Sequence, residues 1–379
     1  MFLFFLFIHL PGFGSPKVLS LIFFRLSYNS QQDLTRAKTL IAQPPQSKKD
    51  ELKKPLGQEK FKSKIDEFNA TTMIMEHISD SHEWHLFMNH TIPLPIIVIT
   101  NAGLDIFSSA RFDGESMVKG HKNYKLVEDK IQVVNSSGRI IEIENGFFRV
   151  LDLSITKNVL SLFFSVFILL ILFISIAKTY KGDANKAPKG SQSLLEPFIL
   201  FVRDDIAIPN LGKNYIRFMP FLLTLFFFIW INNILGLLPF FPGGANLTGN
   251  ISLTLTLAII TFILTNINGK RAYWGHIFSP PVPIPLYIIM VPVEIIGVFI
   301  KPLALTIRLF ANITAGHVLV LSLIGLIFIF KNSFVAAAAV PFTVFISLIE
   351  LLVGFLQAFI FTLLASLYIG TAIQEQHEH

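Results

Sequence analysis

From residue 159 onward the chain is dominated by apolar runs. Three of them, residues 159–177, 218–239 and 250–268, are 19 to 22 residues long, which is the length of helix that crosses the hydrocarbon core of a bilayer. Two longer tracts follow at residues 285–330 and 332–374, with 46 and 43 residues. The pattern predicts an all-α polytopic membrane protein with about five membrane helices.

The two long tracts are each roughly twice the hydrocarbon thickness at about 1.5 Å per residue. Neither has a central cluster of Gly, Pro and Asn that would mark a hairpin, so the sequence favours two long, strongly tilted helices over four upright ones. A shorter apolar segment, residues 194–208, is interrupted by Glu196, Arg203, Asp204 and Asp205. It predicts an amphipathic helix lying on the cytoplasmic face.

The N-terminal part of the chain changes composition twice. Residues 1–27 hold two short apolar runs with Lys17 before the second, which resembles a secretory signal; an uncleaved anchor and a start codon placed too early are the alternatives. Residues 28–70 are rich in Gln and Lys and poor in aromatic residues, which is typical of a flexible linker. The membrane domain is expected to occupy residues 157–374, with a cytoplasmic tail at 375–379.

Residues 71–156 predict a small extramembrane module that contains β-strands. Residues 95–100, 130–134 and 139–144 are strand-like, and the sequence NSSG at 135–138 makes a hairpin turn plausible between the last two.

The same module carries four histidines: His77, His82, His85 and His90. No pair at a spacing of four residues joins a carboxylate in a known ligand pattern, which favours a polar surface over a metal site. We expect neither a metal nor a cofactor.

Charges are few and unevenly placed. Only 15% of the residues are charged, against about 25% in an average soluble domain. The chain has no Cys, which excludes disulfides, thiolate metal sites and cysteine nucleophiles. Residues 178–217 contain seven Lys or Arg, whereas residues 240–249 contain none, so the first of these loops is predicted to be cytoplasmic. The N-terminal module is then periplasmic and the C-terminus cytoplasmic. Because the net charge of +6 follows this topology, no nucleic-acid partner is expected.

The ionisable residues of the two long tracts are the candidate functional groups. Arg308 is the only charge between Lys301 and Lys331, and an arginine at membrane depth is costly enough to indicate function. On a helical wheel Glu294 and Arg308 are about 40° apart, and Asn312 is one turn beyond Arg308. The other candidates are His317, which points to the opposite side of the same helix, and Glu350 and Gln357, which share one stripe of the last helix.

Each of these residues has a simpler interpretation. Lys301 could extend its amine to the membrane interface, Glu294 could be solvated near a boundary, and His317 could be a satisfied interior histidine. Arg308 could form an ion pair that only orients helices. Glu350 has fewer alternatives, because long uncharged stretches flank it on both sides and a buried carboxylate needs a partner.

Three segments resemble subunit a of the F-type ATP synthase, the channel subunit of the stator. They are KPLALTIRLFANITAGH at 301–317, NNILGLLP at 232–239 and ELLVGFLQAFIFTLL at 350–364. The resemblance covers residues 150–374, and the segment around Arg308 is highly specific. It does not extend to the N-terminal 150 residues, which are longer than in most members.

The resemblance implies a role for each candidate residue. The essential arginine of the family falls on Arg308 and its neighbouring asparagine on Asn312. The proton-path residues of the last two helices fall on His317, Glu350 and Gln357, with the acid and imidazole exchanged relative to some bacterial members. The family asparagine of the second span falls on Asn233, Glu294 is a further candidate, and two positions that are polar in some members are Gly236 and Ala304 here.

A non-catalytic proton-channel subunit is therefore expected, with no P-loop of its own. The resemblance implies a ring of c subunits, the b subunits of the peripheral stalk, the whole F1Fo complex and membrane lipid as partners. A secondary transporter would show internal repeats with broken helices, and a structural anchor would have no reason to keep Arg308, His317 and Glu350 at membrane depth. The signal-like start favours the inner membrane of a bacterium over a mitochondrial membrane.

Overall fold

The computed structural model describes Ile74 and residues 78–87, 90–114, 117–127, 130–140, 150–182, 190–238, 244–280 and 282–374. All of them belong to one unit, residues 70–379. The expected signal-like segment at 1–27, the linker at 28–70 and the tail at 375–379 lie outside the described residues.

The described N-terminal part is built from short antiparallel strands in three sheets. Strands β1 and β2 form a hairpin, β3 lies between β4 and β8, and β6 lies between β5 and β7. A one-turn helix, α1 (Arg111–Gly114), follows β4. The strands are β1 (Glu83–Phe87), β2 (His90–Pro93), β3 (Pro95–Thr100), β4 (Gly103–Ser108), β5 (Val118–Lys119), β6 (Asn123–Val127), β7 (Lys130–Val134) and β8 (Leu151–Asp152).

Side chains that alternate between buried and exposed along the strands form the core of this module. In β3 the side chains of Ile96 and Val98 are buried while Ile99 is exposed, as the period of two requires. The two predicted strands at 95–100 and 130–134 are present as β3 and β7. The turn after β7 is also present, with Gly138 at φ 76° and a bridge between Val134 and Ile140, while residues 141–149 lie outside the described part.

The rest of the described chain is helical. The first helix after the strands, α2, begins five residues after β8. The backbone N–H of Lys157 in its first turn donates to the carbonyl oxygen of Ser81. The helices are α2 (Lys157–Gly182), α3 (Ser191–Phe201), α4 (Ile208–Leu211), α5 (Tyr215–Leu237), α6 (Ile251–Ile267), α7 (Arg271–Phe278), α8 (Tyr287–Phe330) and α9 (Ser333–Ile373).

Within the described residues four helical stretches are long and apolar enough to cross a membrane, or five if the bent pair α6 and α7 makes one span. Helices α6 and α7 meet at an angle of 103°. A mostly helical membrane protein with a β-containing N-terminal module is the fold class that the sequence predicts, and it is confirmed. Helix α3 continues through a π-helical turn at Val202–Ala207, where Asp204 and Asp205 are exposed and Val202 and Ile206 are buried, in agreement with the predicted amphipathic segment.

Each long tract is a single helix, as predicted. Helix α8 has 44 residues and α9 has 41, which corresponds to about 66 Å and 62 Å of length against a hydrocarbon core of about 30 Å. Helices this long must tilt strongly or extend beyond the lipid. They are joined by two residues, of which Lys331 adopts the left-handed conformation and Asn332 caps α9 by accepting a hydrogen bond from the backbone N–H of Phe334.

Small residues on α9 allow close packing against earlier helices. Gly354 faces Asn233 of α5, and Gly370 lies against the backbone oxygen of Asn210 in α4, so closely that a Cβ at position 370 would overlap it. Asn210 also donates a side-chain hydrogen bond of 2.9 Å to Ser366. Such contacts are how membrane helices associate, since the hydrophobic effect gives little drive within lipid.

Candidate functional site

The ionisable residues of α8 lie in different surroundings. Leu305 and Leu309 are buried on one face of the helix, while Arg308 and Asn312, one turn apart, are exposed on the surface of the chain. Glu294 is partly buried. Arg308, near the middle of α8, is thus exposed on the surface of the chain.

His317 lies on another side of α8 and meets Glu350 of α9. The distance from His317 Nε2 to Glu350 Oε1 is 3.8 Å, and the exposed fraction of the His317 side chain is 17%. Glu350 is buried, and neither carboxylate oxygen accepts a hydrogen bond from a described residue. Gly316 leaves room for this carboxylate, since a Cβ there would lie 2.8 Å from Glu350 Oε1. An imidazole and a carboxyl group at this separation can exchange a proton through one water molecule.

Asn233 connects three parts of the chain beside this pair. Its amide nitrogen donates to the carbonyl oxygen of Gly354, 2.8 Å away, and its amide oxygen accepts a 2.6 Å bond from Thr248 Oγ1. Gly354 is one helical turn after Glu350, and the buried Gln357 is a further turn along the same stripe. The structure therefore places Asn233, Glu350 and Gln357 in one buried region at the α5–α9 contact.

Gly236 of α5 faces His317 directly. A Cβ at position 236 would lie 3.6 Å from His317 Nε2 and 3.6 Å from the carbonyl oxygen of Ala245. The absence of a side chain at position 236 therefore leaves room for the imidazole of His317 against α5. Nothing in hydropathy or spacing signals this contact, because the two residues come from different spans.

A second polar region surrounds Glu294 at the other end of α8. It is a cleft of about 520 Å³, and His276 Nδ1 of α7 lies 4.0 Å from Glu294 Oε1. The remaining polar or aromatic lining comes from Tyr273, Lys301, Thr371 and Gln374. Sequence reasoning named Glu294 but missed His276, whose one signal is its place in a short helix beside the basic pair Lys270-Arg271.

Tyr368 of α9 lies next to Lys301, one of the residues that line this cleft. The amine of Lys301 lies 5.5 Å from the centre of the Tyr368 ring. A cation over an aromatic face is attracted by the ring quadrupole. Lys301 is half-buried and lines the cleft.

The histidines of the N-terminal module do not form a metal site within the described residues, where no group of three or more potential ligands occurs. His82 is buried, unlike the polar surface residue expected from the sequence, and its Nε2 lies 3.7 Å from Asp152 Oδ2. Burial raises the pKa of the Asp152 carboxyl, but the nearby His82 ring and the hydrogen bond from the Ser154 backbone N–H outweigh it and lower that pKa. His77 and the side chains of His85 and His90 lie outside the described residues.

Asp105 of β4 is the best-connected carboxylate of the module. It accepts hydrogen bonds from Tyr124 at 2.5 Å and from the His121 ring at 2.7 Å, as well as from the His121 backbone N–H. Burial raises the pKa of Asp105, but these bonds overcome that effect and leave the pKa below its usual value. Burial and the bond to Asp105 raise the pKa of Tyr124 to about 12. The cluster ties the β3–β4 sheet to the β5–β7 sheet.

Fold and site together define a polytopic membrane protein that carries a permanent cation, and an imidazole next to a buried carboxylate, on two long paired helices. A family profile described as "ATP synthase A chain" matches residues 159–370, which is more than half of the chain. A second profile, "Domain of unknown function (DUF8433)", matches residues 73–153.

Relatives named ATP synthase subunit a occur in several bacteria. The relative from Chloroherpeton thalassium is 47% identical over 241 residues, covering 62% of this chain and 70% of the relative. The relative from Chlorobium phaeobacteroides is 49% identical over 234 residues, covering 60% and 67%, and that from Myxococcus xanthus is 44% identical over 240 residues, covering 60% and 76%. The chain belongs to the ATP synthase subunit a family, as the sequence predicts.

Proposed function

We propose that this chain moves protons across the membrane through two offset half-channels, and that Arg308 is the fixed cation between them. The observation that carries the proposal is the arrangement on α8, where Arg308 faces outward and His317 faces a buried carboxylate of α9. Membership of the family supports a place in the membrane sector of the F1Fo ATP synthase, and the role that we propose for the chain is transport without covalent catalysis.

The exposed face around Arg308 is the surface that meets the rotor. Large apolar side chains such as Ile307 of α8 and Leu352 of α9 are exposed in the chain, and Arg308 and Asn312 lie among them. A guanidinium left against lipid costs at least about 2.5–3.5 kcal/mol on insertion scales. A neighbouring polypeptide that brings a carboxylate to Arg308 removes this cost. Each c subunit of the ring supplies such a carboxylate.

The outer half-channel contains the imidazole–carboxyl pair. Protons from the periplasmic side pass along Asn233 and Gln357 and are exchanged between His317 and Glu350, whose nearest atoms are 3.8 Å apart. They then reach the c-subunit carboxylate. Once protonated, that carboxyl group is neutral and its transfer into lipid is far less costly than that of the ion, so the ring can rotate.

The inner half-channel is the cleft beside Glu294. It is lined by Glu294 and His276, and it lies on the side of the basic pair Lys270-Arg271, which the positive-inside rule assigns to the cytoplasm. Fourteen residues, or about 21 Å of helix, separate Glu294 from Arg308. Arg308 attracts a c-subunit carboxylate that has released its proton, and it blocks a direct leak because a guanidinium does not deprotonate in proteins.

The driving force is the membrane field, which contributes about 2.3 kcal/mol per charge at 100 mV. We place the chain in the inner membrane of a bacterium, with the β module at 71–156 in the periplasm, the membrane domain at 157–374 and the C-terminus in the cytoplasm. The b subunits of the peripheral stalk are proposed to hold it against the rotor. Residues 1–27 are proposed to act as a signal or anchor.

Replacement of Arg308 by Ala tests the proposal. In inverted membrane vesicles that contain the whole complex, we expect ATP-driven acidification to be lost while the subunit still assembles, because the fixed cation is gone. Arg203→Ala is the matched control, since Arg203 pairs with the adjacent Asp204 at 2.7 Å and takes no part in the route. Acidification at the normal rate by the Arg308 variant would show that the assigned role is wrong.

A further inference from the structure

The N-terminal β module has two outer faces of opposite character. Its two three-stranded sheets pack against each other through a shared core that includes Val98 of β3 and Tyr124 of β6. On the outer face of the β5–β7 sheet, the paired residues Lys125 and Gln132 are polar. The outer face of the other sheet, formed by β3, β4 and β8, carries aliphatic side chains instead.

The register of the strands defines this second face. Strands β4 and β8 pair with opposite edges of β3, and the ladder beside β8 continues as far as the 3.1 Å hydrogen bond from the backbone N–H of Ile155 to the carbonyl oxygen of Pro95. Residues two apart on a strand point to the same side of a sheet. The surface that we call the aliphatic face therefore consists of Ile97, Ile99, Leu104, Ile106, Leu151 and Leu153, with Ile155 at its end.

The aliphatic face is open in the described chain. The exposed fractions of Ile99, Leu104 and Ile106 are 38%, 52% and 65%, and Ile99 lies directly opposite Leu104 in the ladder. Single exposed aliphatic residues are ordinary on a protein surface, whereas a contiguous apolar patch marks a site of contact with protein or membrane. The face must therefore meet another apolar surface.

The β module is fixed to the end of the membrane helix α2. The backbone N–H of Lys157 donates to the carbonyl oxygen of Ser81 at 2.9 Å, and the backbone N–H of Asn158 donates to Asp80 Oδ1 at 3.1 Å. These bonds satisfy two of the N–H groups that are left free at a helix N-terminus. Because the stretch Lys157–Lys178 is long and apolar enough to cross a membrane, the module is held at the membrane surface.

The exposed side of α2 leads to the aliphatic face. Phe163, Phe167 and Ile174 are exposed and lie on one stripe of the helix. Extended toward the N-terminus with the same helical period, the stripe reaches Thr156, whose carbonyl oxygen accepts the first bond of α2. Thr156 directly follows Ile155, at the end of the aliphatic face. The apolar surface of the span thus meets that of the sheet where the chain passes from one to the other.

We propose that the aliphatic face lies on the lipid leaflet at which α2 begins, so that the β module forms a second, surface-bound contact with the membrane. The inference goes beyond the proposed function and depends only on α2 crossing the bilayer. An amphipathic surface of this kind buries its apolar side about 5–10 Å into the boundary between head groups and acyl chains. The hydrogen-bonded backbone of the sheet then remains at the level of the head groups.

The composition and attachment of the face favour lipid over a protein partner. The residues that dominate the energy of protein interfaces are Trp, Tyr and Arg, and the six side chains of the face include none of them. A second copy of the chain would need an interface of about 800 Å² on each partner, which is far more than six half-covered aliphatic side chains provide. The link to α2, in contrast, presents the face to the bilayer at a high effective concentration.

Quenching by spin-labelled lipid tests where the face lies. The chain has no native Cys, so Ile106→Cys places a single thiol on it for a bimane label. The whole complex is reconstituted in vesicles with or without lipids that carry a nitroxide near the top of the acyl chain. Lys125→Cys, on the polar outer face of the other sheet, is the matched control, and Phe163→Cys, on the exposed stripe of α2, is the positive control.

We expect the nitroxide to lower the emission from position 106 about twofold or more, because the label would lie at the acyl boundary. The effect should be close to that at position 163, with little change at position 125. Unquenched emission from position 106 would overturn the proposal. Blue-shifted emission would then show that another subunit or a second copy of the chain covers the face, and red-shifted emission would show that water does.

Charges on the face test whether the sheet, and not the label alone, contacts lipid. With the label at Ile99→Cys, the double variant Leu104→Asp with Ile106→Asp should reduce the quenching about twofold, since charged side chains are disfavoured against lipid. The control is Leu104→Ile with Ile106→Leu, which keeps the face apolar and should quench normally. Equal quenching in the two variants would overturn the proposal.

Protease resistance of the module in detergent shows whether the charged variant is folded, and exposed positions tolerate such changes well. Neither experiment measures proton transport, so a negative result would remove the lipid contact and leave the role assigned to Arg308 standing.

Discussion

Gly316 gives the sharpest test of the imidazole–carboxyl pair, because one added methyl group would reach it. A Cβ at position 316 would lie 2.8 Å from Glu350 Oε1 and 2.9 Å from Glu350 Cδ, whereas ordinary contact begins at 3.4 Å. In Gly316→Ala the carboxyl group must therefore move by about 0.6 Å or more, or the helices must separate. Overpacking of this size costs about 1–3 kcal/mol.

The side chain of Glu350 is flexible, so we expect it to move in preference to the helices. The pair with His317, now 3.8 Å apart, would lose its geometry, and ATP-driven proton pumping should fall on the order of tenfold, as about 1.4 kcal/mol predicts. Assembly of the subunit should be normal. The assay is acidification of inverted vesicles, with the amount of subunit a in the purified complex as the measure of assembly.

A shorter acid should relieve the conflict. Asp in place of Glu350 withdraws the carboxyl group by one methylene, about 1.5 Å, so Gly316→Ala should slow pumping less in a Glu350→Asp background than in the wild-type background. Gly275→Ala on α7 is the control, since no atom lies within 4 Å of an added Cβ there. Wild-type pumping by Gly316→Ala, or simple additivity in the double variant, would refute the reasoning.

The remaining predictions concern the β module and the α4–α9 contact. Tyr124→Phe should destabilise the module by about 1.5–3 kcal/mol, the contribution of a hydrogen bond to a charged group, as measured by pulse proteolysis of the intact complex in urea. Hydrogen bonding holds the folded-state pKa of Asp105 below 3.8. The ionised carboxylate therefore stabilises the module above pH 3.8, and this contribution is lost as the pH falls through the folded-state pKa. Asp105→Asn should remove this acid dependence of stability, and an unchanged dependence would contradict the prediction. Gly370→Ala should cost about 3 kcal/mol, since the added Cβ meets the backbone oxygen of Asn210, and we expect little subunit in purified complexes; normal amounts would disprove the contact.

The helices and their lengths could be predicted from the sequence because each depends on residues within one segment. The absence of a loop-like cluster in the last two tracts indicated continuous helices, and α8 and α9 are continuous despite Pro292, Pro302 and Pro341. Charge scarcity also identified Arg308, since a lone cation in an apolar tract needs no tertiary information to stand out.

The surroundings of those residues could not be predicted. The contact of Gly236 with His317 joins positions 81 residues apart, and the bond from Asn233 to Gly354 spans 121. Helical wheels show which residues share a face but not which neighbour covers that face. The same limitation applies to His276. It is a candidate only because α7 lies at 103° to α6, which places His276 near Glu294.

The two-residue connection between α8 and α9 has a consequence for how the protein is made. Lys331 and Asn332 can span only about 7 Å, so the two helix ends that they join stay side by side and neither helix can enter the bilayer far from the other. The translocon must therefore deliver them as one hairpin, which requires synthesis to continue to the end of α9 before α8 settles. A chain terminated after Lys331 would leave the 44-residue helix α8 without its partner α9. Quality-control proteases of the membrane would be expected to remove such a chain.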